Sequence, residues 1–240
     1  MSEWWTYRPS DFLLFSARTY YRLFEIHNAA LWPGQVLALA LAGALLWLAW
    51  RGGVWAARGA CAIVGVAWLF TAAGYFVWRY ATINWAALGF GAGFLLGGTL
   101  WVGLASSRAC PALRMRVRGS TVPTRARIGF ALLVAAIVYP LLAPLLGRPW
   151  TQAEVFGLMP DPTAIGALGL LVLLESGRER RLPPLLRKAW IIALWSLPLG
   201  WCLLTGITLW TLDSPEAIIA PALAALALAA SGLEHPSTTP

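Results

Sequence analysis

The chain has 240 residues, 59% of them hydrophobic and only 12% charged, with a net charge of +8 and a mean hydropathy of +0.68. A soluble domain of this length carries roughly 25% charged residues, so too few charges are present to build a water-facing surface. The basic excess is not a nucleic-acid footprint either: phosphate backbones need a water-exposed basic face, and here Arg and Lys lie between apolar runs.

Residues 1–30 read as an N-terminal interfacial segment. Met1–Trp5 lacks a basic start followed by an apolar stretch, so no cleavable signal peptide is expected, and the first span must act as the insertion signal. Residues 10–28 predict a helix with Ser10 as N-cap and Asp11 in the first turn. It mixes Phe12, Phe15, Leu23, Phe24 and Ile26 with Arg18, Arg22 and Glu25. That is too polar to span, and suits a helix lying at the interface or a cap packed over a bundle. Trp4, Trp5, Tyr20 and Tyr21 suit the headgroup region. Glu25, His27 and Asn28 end the segment. A histidine beside a carboxylate can relay protons, but one His with one Glu fits surface capping better.

Residues 31–233 predict a seven-helix transmembrane domain, since a helix needs about 20 apolar residues to cross the hydrocarbon core. The spans run from Leu31 to Trp50, Gly59 to Trp78, Ile83 to Ala105, Ile128 to Leu146, Val155 to Leu174, Ala189 to Trp210 and Pro215 to Leu233. The fifth and seventh are the weakest. Arg108, Arg114, Arg116, Arg118, Arg125 and Arg127 fill the link between spans three and four; Arg178, Arg180, Arg181, Arg187 and Lys188 fill that between five and six. The positive-inside rule puts both links in the cytoplasm, the N-terminus outside and the C-terminus inside. Arg8, Arg18 and Arg22 oppose this locally, and the two large clusters outweigh them. The polar tail, 234–240, is expected to be disordered.

Span three carries Gly89, Gly93 and Gly97 on one face, a helix-packing signal. Pro140, Pro144 and Pro198 are expected to kink their helices. The segment Phe156–Thr163 is the most informative. Pro160 and Pro162 resist helix, Asp161 can cap the helix that follows, and Pro162 suits its first position. Val155 to Met159 is then either an external loop or an unwound, re-entrant piece, which is tolerated at depth only inside protein or beside a cavity. An acid with free helix-end N–H groups can bind a polar solute or cation. Acids placed mid-membrane, as a proton pump needs, are otherwise not apparent.

Cys61, Cys110 and Cys202 imply neither a disulfide framework nor a zinc site. No nucleophile elbow, His-Glu-x-x-His or phosphate loop occurs. No enzyme, cofactor or metal site is therefore expected. No internal repeat of the kind many transporters carry stands out.

Trp5-Thr6-Tyr7, Ser10-Asp11-Phe12-Leu13, Tyr20-Tyr21-Arg22-Leu23, Asn28, Trp32-Pro33, Phe156-Gly157 and Pro160-x-Pro162-Thr163 together resemble an uncharacterised bacterial membrane family, domain-of-unknown-function 6064, over nearly the whole chain. The resemblance implies a small multi-pass protein of the bacterial plasma membrane and no established activity. The expectation is an all-α membrane bundle, permease-like for a small solute or ion. Its site would sit at the external ends of spans one, four and five, with Asp161 as anchor, Thr163 beside it, and Glu25, His27 and Asn28 near its mouth. The competing class is a non-transporting scaffold or assembly factor. The expected partners are the lipid bilayer, a small solute or ion, and another copy or a membrane protein.

Overall fold

A computed structural model describes residues 15–108, 110–113, 122–174 and 184–233. Over these residues the fold is all-α. We name the helices α1 (Ala17–Leu31), α2 (Gly34–Arg51), α3 (Val54–Phe70), α4 (Ala87–Ser106), α5 (Thr124–Val138), α6 (Pro160–Leu173), α7 (Pro184–Thr211) and α8 (Ile219–Ser231). Helix α3 runs on as a π-helix, Thr71–Val77, and α5 continues through a 3-10 turn, Tyr139–Leu141, into one last turn, Leu142–Leu145. Pro140 sits in that break, whereas Pro198 lies inside an unbroken α7.

Seven apolar helices occur where seven spans are expected, but five are long enough to cross a membrane: Gly34–Arg51, Val54–Thr82, Ala87–Ser106, Thr124–Leu145 and Lys188–Thr211. The chain is a multi-pass helical membrane protein. The other two, α6 and α8, have 14 and 13 residues, or about 20 Å of helix each against a hydrocarbon core of about 30 Å. The prolines shorten α6 at its start, and the turn through Asp213 and Ser214 delays α8.

Helix α1 begins later than expected. The Ser16 hydroxyl accepts the Thr19 N–H and caps it; Ser10, Asp11, Trp4 and Trp5 lie outside the described residues. Tyr20, Leu23, Phe24 and His27 are its buried residues, spaced i, i+3, i+4, i+7, so one stripe faces inward. It is a cap over the bundle rather than a helix with its apolar side free. Also outside the described residues are Arg114, Arg116, Arg118, Arg178, Arg180, Arg181 and the tail from Glu234.

Short backbone pairings tie the links together. Gly53 N–H donates to the Leu113 carbonyl at 2.8 Å, and Leu113 also pairs with Leu174. The links after α2, α4 and α6 therefore meet at one end of the bundle. At the other end, Asn28 donates to the Thr151 and Ala153 carbonyls at 2.8 and 2.9 Å, and Tyr21 donates to Glu216. That end gathers α1, the α5–α6 link and the α7–α8 link.

The central element is α6. Every residue from Ala153 to Leu174 is buried. Gly129 of α5 and Gly169 of α6 let two backbones touch: a Cβ on Gly169 would lie 2.9 Å from the Gly129 carbonyl oxygen and 2.9 Å from Leu133 N. The Arg125 guanidinium donates to the Val172 and Leu174 carbonyls at 2.9 and 3.3 Å. It satisfies orphan carbonyls at the α6 C-terminus and places positive charge at the negative end of the helix dipole. The expected glycine face behaves differently. A Cβ on Gly89 would meet nothing within 4 Å, one on Gly93 only Leu197, and one on Gly97 the Trp68 ring. The tight backbone crossing of α3 and α4 lies instead at Gly65 and Gly98. Cys61 and Cys110, far apart in sequence, bring their thiols within hydrogen-bonding reach.

Candidate functional site

The site is built around the start of α6. The segment before it, Val155–Met159, is non-helical and buried, so each of its polar backbone groups needs a partner inside the protein. Gly157 takes φ +81°, a left-handed conformation that favours glycine. Its N–H donates to Thr163 Oγ1 at 2.8 Å, and Thr163 Oγ1 donates to the Met159 carbonyl at 2.6 Å. The Thr71 hydroxyl, from the π-helix, donates to the Gly157 carbonyl at 3.3 Å. His27 Nε2 lies 3.2 Å from the Leu158 carbonyl. A carbonyl only accepts, so Nε2 carries the proton. Burial holds the His27 imidazole down to about 4, against the opposing pull of the Leu158 carbonyl, so it is neutral at pH 7. Val155–Met159 is therefore unwound chain held inside the protein.

Asp161 occupies the second position of α6 and is 1% exposed. It does not cap the helix, which starts at Pro160 with no side-chain cap. Its carboxylate turns sideways to other helices. Trp201 Nε1 and Thr205 Oγ1 of α7 donate to Oδ1 at 2.7 and 2.8 Å, and Tyr139 donates to Oδ2 at 3.4 Å. The positive end of the α6 dipole adds to this. By the rise of an α-helix, Asp161 lies about 20 Å from the Leu174 end of α6.

Two further acids share this region. Glu216, 1% exposed, pairs with Arg148 at 2.6 Å and accepts from Tyr21. The Arg148 guanidinium stacks over the Tyr21 ring, 4.1 Å from its centroid. Glu154, 5% exposed, has an Oε2 with no hydrogen-bond partner. Glu154, Asp161 and Glu216 lie within electrostatic reach of one another. A vestibule of about 360 Å³, lined among others by Arg18, Tyr21, Leu146, Arg148, Gln152 and Leu212, opens beside the Arg148–Glu216 pair. An apolar fissure of about 210 Å³ between α2 and α3 is also lined by Phe156, Gly157 and Leu158.

The sequence model of a family of unknown function, DUF6064, matches residues 17–230. The chain belongs to that family. No curated protein and no solved structure matches it.

In this DUF6064 chain the expected site residues separate into three groups. Asp161 and Thr163 stand together at the head of α6, and His27 reaches the same segment through Leu158. Asn28 is a latch, holding the Thr151 and Ala153 carbonyls. Glu25 faces outward and pairs with Arg22, with the Thr151 hydroxyl donating to it. Residues two apart on a helix do not face each other, so Glu25 and His27 form no relay. The helices that hold Asp161 are α5 and α7, and not the first span. The sequence reading passes over Trp201, Thr205, Tyr139, Glu154, Glu216 and Arg148, and so misses the buried acids. The signal was length: helices as short as α6 and α8 draw their flanking links into the bundle. Among the described residues no group of three His, Cys, Asp or Glu is arranged to hold a metal ion.

Proposed function

We propose that this protein is a permease-like carrier of a small solute or ion, bound at the head of α6. The observation that carries the reading is the buried Asp161 carboxylate at the start of a short helix entered by unwound chain. Ionisable residues inside a membrane domain are costly and mark solute and ion paths. Broken helices that present their N-termini recur at carrier binding sites. The vestibule gives an approach from the α1 end, and the basic links orient the opposite end toward the cytoplasm. The protein then acts in the plasma membrane without enzymatic chemistry.

The test is a thermal-stability screen of purified protein in detergent against ions, amino acids, sugars and metals, with D161N in parallel. A ligand that binds only the folded state raises apparent stability. We expect one class of ligand to raise the midpoint in wild type and not in D161N, and the same ligand to cross liposome membranes only with wild type. Equal shifts and equal flux in D161N would sink the assignment. The competing class, a non-transporting scaffold, draws support from α2, whose Trp32 end, Leu37 and Trp47 stand 71%, 65% and 58% exposed. It predicts a stoichiometric membrane partner lost on substitution of that face.

A further inference from the structure

The three acids of the polar cluster differ in how their charge is met. Glu216 has the Arg148 guanidinium at 2.6 Å and the Tyr21 hydroxyl. Asp161 has Trp201, Thr205 and Tyr139 as donors and the α6 dipole. Glu154 has neither a cation of its own nor a donor on Oε2. An isolated buried carboxylate costs far more than a neutral carboxyl, and like charges nearby deepen the cost. Asp161 and Glu216 repel its charge, while Arg148, paired with Glu216, draws the other way; the Tyr20, Tyr75 and Tyr139 hydroxyls reach the same region from α1, the π-helix and α5.

A second observation comes from another element. The Tyr75 hydroxyl, 1% exposed, also meets no hydrogen-bond partner, with Tyr20 near it. It lies within electrostatic reach of both Glu154 and Asp161. It projects from the π-helix, an irregularity that often marks functional sites.

We propose that Glu154 is a proton-binding site that exchanges with water entering from the vestibule. On release, the O–H bond of Glu154 breaks and the proton forms a new O–H bond on water and departs as hydronium, leaving Glu154 as the anion. The reverse step reloads it. This rests on the carrier reading only for what the proton drives; the proton site itself is a separate claim.

The experiment is infrared spectroscopy of the full chain in lipid, in H2O and D2O, from acid to alkaline pH. Wild type at neutral pH should show the C=O stretch of a buried protonated carboxyl, shifted in D2O and lost as pH rises. The band should vanish in E154Q and remain in D161N. Should E154Q not fold, E154D should keep a band at a displaced frequency. No such band in wild type, or one that persists unchanged in E154Q or E154D, overturns the assignment. A band that never shifts in D2O overturns the exchange route. If the band behaves as expected while D161N transports like wild type, the carrier reading fails and the proton site stands.

Discussion

Helices α2 and α6 meet their surroundings in opposite ways. Helix α2 is span-length, and its buried residues are the seam Ala38, Ala42, Leu45 and Ala49, one residue per turn, with Leu46 and Leu48 packed partly beside it and the face of Val36, Leu37 and Trp47 exposed. Helix α6 is shorter and buried on every side, with the acid at its head met by α5 and α7. The difference teaches where apolarity stops being informative. Lipid and protein interior select the same apolar side chains, so composition alone does not tell a lipid-facing helix from an enclosed one. Length and flanking polarity do: a helix too short to span must have its ends satisfied by protein, and α6 has Arg125 at one end and Thr163, Thr71 and His27 around the other.

The largest break in this contrast is predicted for G169L. With Gly129 O and Leu133 N each 2.9 Å from a Cβ there, α5 and α6 must separate. We expect no folded monomer by size-exclusion chromatography, whereas a leucine at Gly43 of α2, where a Cβ meets nothing within 4 Å, is tolerated.

Next in size is a matched pair. Leu168 is 0% exposed and Leu37 is 65% exposed. L168A should cost about 3 kcal/mol by the lost packing and the cavity left, and L37A close to none, as read from unfolding in denaturing detergent.

The third concerns pH. His27 has its imidazole lowered by burial to about 4, against about 6.5 when unfolded. The unfolded chain therefore binds the proton more readily, and stability falls with falling pH. This contribution is fully present above about 6.5 and is lost as pH drops through about 4, a span worth roughly 3 kcal/mol. The acid sensitivity of wild type should exceed that of H27Q over this window; parallel curves would contradict it. The smallest effect is expected for Y139F, which removes a long, 3.4 Å bond to Asp161 and should cost at most about 1 kcal/mol.

Much of this fold is legible in sequence, and the reasons are physical. Apolar runs of span length mark α2, α3, α4, α5 and α7 to within a few residues. The links after α2, α4 and α6 pair through Gly53, Leu113 and Leu174. Pro160 and Pro162 mark the unwound segment. What escapes is whatever depends on which helices touch. Trp201 and Thr205 look like ordinary members of an apolar span until α6 brings Asp161 to them. Glu154 and Glu216 look like link acids until short helices pull the links inward. The crossing at Gly129 and Gly169 involves one glycine from each helix, so no spacing within either one shows it. Gly89, Gly93 and Gly97 carry the spacing but only Gly97 is closely packed.

The enclosure of α6 is the claim on which the rest depends. It is tested most directly by photolabelling the wild-type protein in lipid with an apolar carbene precursor and mapping the adducts by mass spectrometry. Dense labelling at Val36, Leu37 and Trp47 of α2, with none across Pro160–Leu173, is the predicted result. Adducts along α6 at a density matching α2 would place that helix against lipid and contradict the account.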